Sequence, residues 1–190
     1  LAGTILIALC RSWWLFGVGA ACLPAAWFYT GGRRPYGYRG FGEVSVFLFF
    51  GIVAVLGTTF TQAGRISADA VCAAAGTGAL ACAILVANNL RDLPTDAAAG
   101  KRTLAVRLGD GRTRRLYAGL LALAGLAILP MLREHPRSAL AFLALPLALP
   151  PLRTVLGGAA GTALLPVLRG TGRLELAYGV LVGLSLALRG

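Results

Sequence analysis

From Ala70 to Ala87 the chain runs through eighteen consecutive residues without one charged side chain. A helix needs about 20 largely apolar residues to cross the hydrocarbon core of a bilayer. A run of this length and purity therefore restricts the chain to folds that put helices in lipid. Similar stretches recur at Trp13–Thr30, Val44–Phe60, Leu116–Leu132, Ser138–Leu152 and Leu174–Leu188. Leu1–Leu9 is too short to span and reads as the tail of a helix that begins upstream. With 57% hydrophobic and 13% charged residues, a soluble domain is excluded. Gly and Ala are frequent inside the runs, as expected where helix backbones approach closely in lipid. The expected fold is all-α, a polytopic transmembrane helical bundle of about six complete helices plus one truncated at the N-terminus, forming a single domain. Pro24 is expected to kink the second segment. Gly157–Leu168, short and rich in small residues, reads as a re-entrant or interfacial piece.

The net charge of +11 does not point to nucleic acid, because the cations sit in loops between apolar runs and form no basic helix interleaved with aromatics. Their distribution sets an orientation instead. Loops 31–43, 91–115 and 152–173 hold thirteen Lys and Arg, whereas the alternate loops hold only Arg11, Arg65, Arg133 and Arg137. Cytoplasmic loops carry the excess of cations, so the first set is expected in the cytoplasm of a multi-pass cell-membrane protein, against membrane lipid. Cys10, Cys22, Cys72 and Cys82 fall in or beside apolar segments at spacings that form no metal motif, and read as small buried hydrophobes.

The polar stretch that ends the Ala70–Ala87 run carries the chemistry. Asn88, Asn89, Asp92 and Asp96 are followed by Lys101, Arg102 and Arg107. Positions i and i+4 of a continuous helix share a face, so Asp92 and Asp96 can address one ion. Pro94 implies that the helix ends or kinks at the motif while still presenting both side chains. Oxygen donors beside cations suit Mg²⁺ together with a bound phosphate, since that ion keeps waters and substrate phosphates in its shell. Guanidinium forks and a Lys point charge suit the phosphate oxygens. The plain alternative for the pair is two solvated carboxylates balancing a basic loop. Asn88, a polar residue near the membrane boundary, fits a site facing the bundle interior. An interhelical hydrogen bond is an equally good reading of Asn89.

Two blocks of this sequence resemble the UbiA superfamily of membrane prenyltransferases, and within it the 1,4-dihydroxy-2-naphthoate polyprenyltransferases of menaquinone synthesis. One block is Asn88-Asn89-Leu90-Arg91-Asp92 with Gly100-Lys101-Arg102-Thr103-Leu104-Ala105-Val106-Arg107-Leu108-Gly109, in which Asp92 to Asp96 matches the second aspartate-rich DxxxD motif. The other is Tyr29-Thr30-Gly31-Gly32 with Gly37-Tyr38-Arg39-Gly40-Phe41-Gly42-Glu43 and Phe47-Leu48-Phe49-Phe50-Gly51. The likeness runs from about Leu1, and the last third is matched only by helix pattern. It implies Mg²⁺-dependent transfer of a polyprenyl group from polyprenyl diphosphate to 1,4-dihydroxy-2-naphthoate. Asp92 and Asp96 would be catalytic residues and metal ligands, and Asn88, Tyr29, Lys101, Arg102 and Arg107 would bind substrate. Tyr29 matches a tyrosine that faces the reaction chamber, while an interfacial belt position is its other reading.

The resemblance also implies a first aspartate-rich motif on an earlier helix, which the chain lacks. The expectation is a C-terminal portion of a roughly nine-helix enzyme, missing about two helices and part of a third. An inactive fragment or silent homologue, and transfer to another aromatic acceptor, stand as alternatives. A small transporter is disfavoured, because neither inverted repeats nor mid-membrane charges are seen. Arg112, Arg114 and Arg115 read as lipid-facing loop cations, and Arg33 and Arg34 as weaker diphosphate candidates. His135 reads as a solvated loop residue. Asp69 and Asp110 are isolated carboxylates, and Glu43, Thr61 and Gln62 have no assigned role.

Overall fold

The computed structural model describes residues 2–188, so Leu1 of the expected Leu1–Leu9 segment lies outside the described residues. Helix α1 (Ala2–Leu9) and helix α2 (Leu15–Thr30) come first. They are followed by α3 (Gly42–Ala63) and α4 (Ala68–Arg91). Two short helices, α5 (Leu93–Ala98) and α6 (Leu104–Leu108), occupy the expected polar loop. Then come α7 (Asp110–Glu134), α8 (Pro136–Leu156) and α9 (Leu165–Ala187). Four of these, α3, α4, α7 and α8, are long and apolar enough to cross a membrane.

Side-chain bonds at the helix ends fix how the rods alternate. Cys10 Sγ donates to the Thr61 carbonyl at 3.2 Å, joining the ends of α1 and α3. His135 Nδ1 lies 2.7 Å from Asp69 Oδ2, joining the end of α7 to the start of α4. Arg137 donates to the Leu188 carbonyl at that same end. At the opposite end Asn89 Nδ2 donates to Glu43 Oε1 at 2.9 Å, and Arg114 Nη1 donates to the Val155 carbonyl at 2.5 Å. The polar segments after α2, α4 and α8 therefore share one end of the bundle. This is the grouping that the cation count implies.

Helix α4 is the central rod. Ser67 caps its first turn by accepting the Ala70 N–H at 3.2 Å, as a Ser at this position commonly does. Its Ala74, Ala79, Ala83 and Ala87 are fully buried, and the absence of bulk lets neighbouring backbones come close. A Cβ on Gly51 would stand 2.7 Å from the Gly78 Cα and 2.8 Å from the Ala74 carbonyl oxygen. Helices α3 and α4 therefore touch backbone to backbone, the packing that small residues permit in lipid. Gly51 sits where α3 winds as a π-helix, over Phe47–Leu56. On another face, a Cβ at Gly76 would meet the Tyr178 hydroxyl at 2.0 Å, so only Gly leaves room for that ring from α9. The Tyr117 and Thr171 hydroxyls are hydrogen-bonded at 2.6 Å between α7 and α9.

Four expectations need correction. Helix α7 begins at Asp110, six residues before the apolar run, because Asp110 pairs with Arg114 one turn later (Nε to Oδ2, 2.6 Å). Arg114 is consequently buried and does not face lipid from a loop. His135 lies against the buried Asp69, so neither residue is isolated. Gly157–Leu168 is no separate re-entrant piece. A short 3-10 turn at Gly161–Leu164 leads straight into α9, which starts nine residues before the apolar Leu174 and carries Arg169, Arg173 and Glu175 within it.

Candidate functional site

The end of α4 builds the polar site. After its uncharged run the helix closes at Arg91, with Asp92 still donating its N–H to the Asn88 carbonyl at 3.1 Å. Asp92 is also the cap of α5, and Pro94 falls in the first turn of that helix. A proline is tolerated there because the first-turn N–H groups have no intrahelical partner. The chain bends at the motif as Pro94 implies, and Asp96 follows one turn on, its N–H donated to the Asp92 carbonyl at 2.8 Å.

Each carboxylate holds a different cation. Arg91 grips Asp92 with both arms of its fork, Nε to Oδ1 at 2.7 Å and Nη2 to Oδ2 at 2.6 Å. Lys101 Nζ meets Asp96 Oδ1 at 2.7 Å. Asp96 is buried, at 7% exposure, while Asp92 is partly open. The guanidinium beside Asp92 holds its carboxyl below the usual carboxylate range. The bond to Asp96 pushes the Lys101 ammonium above its ordinary value. Charge-assisted pairs of this kind favour the ionised forms of both partners.

The two resembling sequence blocks meet here through Tyr38 and Arg102, which stand 64 positions apart. The backbone N–H of Arg102 donates to the Tyr38 carbonyl at 2.8 Å. Lys101 Nζ lies 4.9 Å from the Tyr38 ring centroid, within cation–π reach. Gly40 adopts φ +84°, and a Cβ there would stand 3.0 Å from Arg107 Nε, so the Arg107 side chain lies across this glycine. Arg107 Nε in turn donates to the Arg102 carbonyl at 3.2 Å. Thr103 caps α6 by accepting the Val106 N–H at 3.4 Å, which sets the turn that separates Arg102 from Arg107.

Among the described residues, no ion pair joins Arg102 or Arg107 to either aspartate. Both side chains are exposed. Asn88 is half-buried one turn before Asp92. Tyr29 packs edge-on against Tyr36, ring centroids 5.5 Å apart. It lines a cavity of about 610 Å³ with Cys22, Ala26, Tyr36, Ser45, Phe49, Phe50 and Val53. Tyr36 fixes that wall by donating to the Ala25 carbonyl at 2.7 Å and lying 3.1 Å from Ser45 Oγ.

Two participants escaped the sequence reading. Arg91 directly precedes Asp92, the closest position from which a guanidinium can reach a carboxylate. Glu43 had no role, yet it is buried and bonded to Asn89. The interhelical bond weighed for Asn89 is the one observed.

As donors, Asp92 and Asp96 fit a magnesium ion in kind and number. That ion is commonly bound through one or two carboxylates together with substrate phosphates. Among the described residues no group of three or more His, Cys, Asp or Glu converges to form an all-protein cage.

The chain is 54% identical over 187 residues to the 1,4-dihydroxy-2-naphthoate octaprenyltransferase of Mycobacterium tuberculosis, covering 98% of this chain and 64% of that protein. It is 48% identical over 184 residues to the Mycobacterium leprae protein of the same name, covering 97% and 63%. The Escherichia coli protein of that name is 40% identical over 157 residues, covering 81% and 51%. The chain thus spans less than two thirds of the length of these curated relatives. No solved structure matches it. The description of the UbiA prenyltransferase family matches residues 1–159, a range that takes in both blocks and the whole polar site. The chain belongs to the UbiA prenyltransferase family.

Proposed function

We propose that the protein containing this chain transfers a polyprenyl group from polyprenyl diphosphate to 1,4-dihydroxy-2-naphthoate. The observation that carries this reading is the meeting of Tyr38 and Gly40 with Lys101, Arg102 and Arg107 beside Asp92 and Asp96. It supplies carboxylates and cations together at the end of an apolar bundle. The identity to the mycobacterial relatives supports the choice of substrates.

Asp92 and Asp96 would hold Mg²⁺ against the diphosphate. When bound, that ion neutralises negative charge developing on the departing group. Arg102 and Arg107, exposed and unpaired with either carboxylate among the described residues, are available for phosphate oxygens. Lys101 adds a point charge while its bond to Asp96 and its contact with Tyr38 hold it in place. Arg91 favours the ionised form of Asp92, the form in which a carboxylate ligates a metal ion. Asn88 stands one turn below, at the edge of the apolar region. The apolar cavity lined by Tyr29 and Phe49 would give the reacting carbon water-poor surroundings, which matters because an allylic cation is quenched by water. The polar end would lie on the cytoplasmic side, a reading the cation excess supports, where a charged diphosphate is available.

The test uses the intact gene product that carries this chain, purified in detergent. It should form prenylated naphthoate from the two substrates and lose that activity when divalent cations are chelated. Absence of product under conditions where the Mycobacterium tuberculosis relative is active would contradict the proposal.

A further inference from the structure

Glu43 lies in the first turn of the membrane-spanning α3, with only 8% of its surface exposed. Among the described residues no cation pairs with it. Its Oε1 accepts the Asn89 amide at 2.9 Å, while Oε2 is buried without any hydrogen-bond partner. Buried polar atoms are almost always satisfied, and ionisable residues within membrane helices tend to mark functional sites. The residue is held from two sides, by its carboxylate and by its backbone. Asn89 fixes one oxygen, and Cys82 Sγ donates to the Glu43 backbone carbonyl at 3.0 Å.

A second group with spare hydrogen-bonding capacity stands close by. The Tyr29 hydroxyl lies 3.3 Å from where a Cβ would stand on Gly42, the residue before Glu43. Among the described residues it has no hydrogen-bond partner. The Tyr29 ring faces the apolar cavity with Ala26, Phe49 and Phe50. Asn89, which holds Glu43, stands three residues before Asp92. A carboxylate repels a diphosphate, and an isoprenoid tail has no proton to give. A flat aromatic ring bearing hydroxyls has both the apolar faces and the donor that this corner lacks.

We propose that Glu43, held by Asn89, accepts a hydrogen bond from a ring hydroxyl of the aromatic acceptor and so selects hydroxylated acceptors. This rests on the prenyl-transfer reading above. The carboxylate draws the hydroxyl proton toward itself, which raises electron density in the ring that is alkylated.

The intact gene product is assayed with 1,4-dihydroxy-2-naphthoate and polyprenyl diphosphate, each varied separately. Glu43→Gln keeps the shape and the Asn89 contact while removing the charge. It should raise the acceptor KM by about tenfold or more, the loss expected for one hydrogen bond to a charged group. The KM for the diphosphate should stay within about twofold. Should that variant fail to accumulate in membranes, Asn89→Ala carries the same test, since it leaves Glu43 present but unheld. Equilibrium binding of 2-naphthoate, which lacks both hydroxyls, to the unaltered protein gives an independent reading. It should bind at least about tenfold more weakly than the diol. An unchanged acceptor KM in Glu43→Gln, or equal binding of 2-naphthoate and the diol, would overturn this inference. Failure of the unaltered protein to prenylate the diol would instead overturn the reading on which it rests.

Discussion

Arg91 and Asp92, neighbours in sequence, form a two-armed ion pair at the break between α4 and α5, with both N···O distances under 2.8 Å. The pair ties the end of the central helix to the start of the motif. Asp92 is therefore ionised across the neutral range.

The sign of its pH dependence follows from the direction of the shift. A depressed carboxyl contributes stability above its unfolded value and loses it as pH falls through the folded value. Lys101, raised by Asp96, contributes below its unfolded value and loses it as pH rises through the folded one. Both pairs thus persist from roughly pH 5 to 9. The difference in thermal midpoint between Arg91→Ala and the unaltered protein in detergent should be flat over that window and shrink below it. Because the pair is partly exposed, the difference should be small, about 1 kcal/mol or less. A difference that titrates near neutrality would contradict the assignment.

Arg114 makes a contrasting prediction. It is buried, paired with Asp110 and donating to the Val155 carbonyl at the end of α8. Arg114→Ala would leave that carbonyl without its partner, at a cost of about 1–3 kcal/mol. The measured outcome should be a lower thermal midpoint with an unchanged KM for the diphosphate. A raised KM at normal stability would place Arg114 in the substrate site instead.

Close packing of α3 on α4 predicts damage from the smallest possible change. Gly51→Ala places a methyl 2.7 Å from the Gly78 Cα, so the backbones must separate. The variant should accumulate poorly in membranes or melt several degrees lower, whereas Gly119→Ala, with open space around it, should not. Equal stability of the two variants would contradict the close contact.

Orientation is tested with single cysteines at Arg39, Arg112 and Arg133, all exposed, in a background lacking Cys10, Cys22, Cys72 and Cys82. An impermeant thiol reagent should label position 133 in intact cells, and positions 39 and 112 only after lysis. Labelling of position 39 or 112 in intact cells would reverse the proposed orientation.

Four of the six expected spans were legible because lipid demands long uncharged runs, and Ala70–Ala87 announces one. Pro94 likewise foretold the break at Asp92. What the one-dimensional pattern hid were partners that lie far apart in sequence or that pair charge inside a helix. Asp110 and Arg114 look like loop charges until their spacing of four is read as one helical turn that buries the guanidinium. His135 looks solvated until the far end of α4 brings Asp69 beside it. Glu43 looked idle because Asn89 is 46 residues away. The Arg102–Tyr38 link is a backbone bond between two loops, and no side-chain pattern encodes it.

In the proposed mechanism Asp92 and Asp96 act together on a diphosphate-bound ion. The most direct test is turnover against magnesium concentration for Asp92→Asn, Asp96→Asn and Arg112→Ala in the intact gene product. Each aspartate variant should lose roughly 10²–10³ in turnover, the scale of one lost transition-state contact, and should need more magnesium for half-maximal rate. Arg112→Ala, an exposed charge on the outer face of α7, should match the unaltered protein. Normal turnover and unchanged magnesium dependence in both aspartate variants would contradict the central assignment.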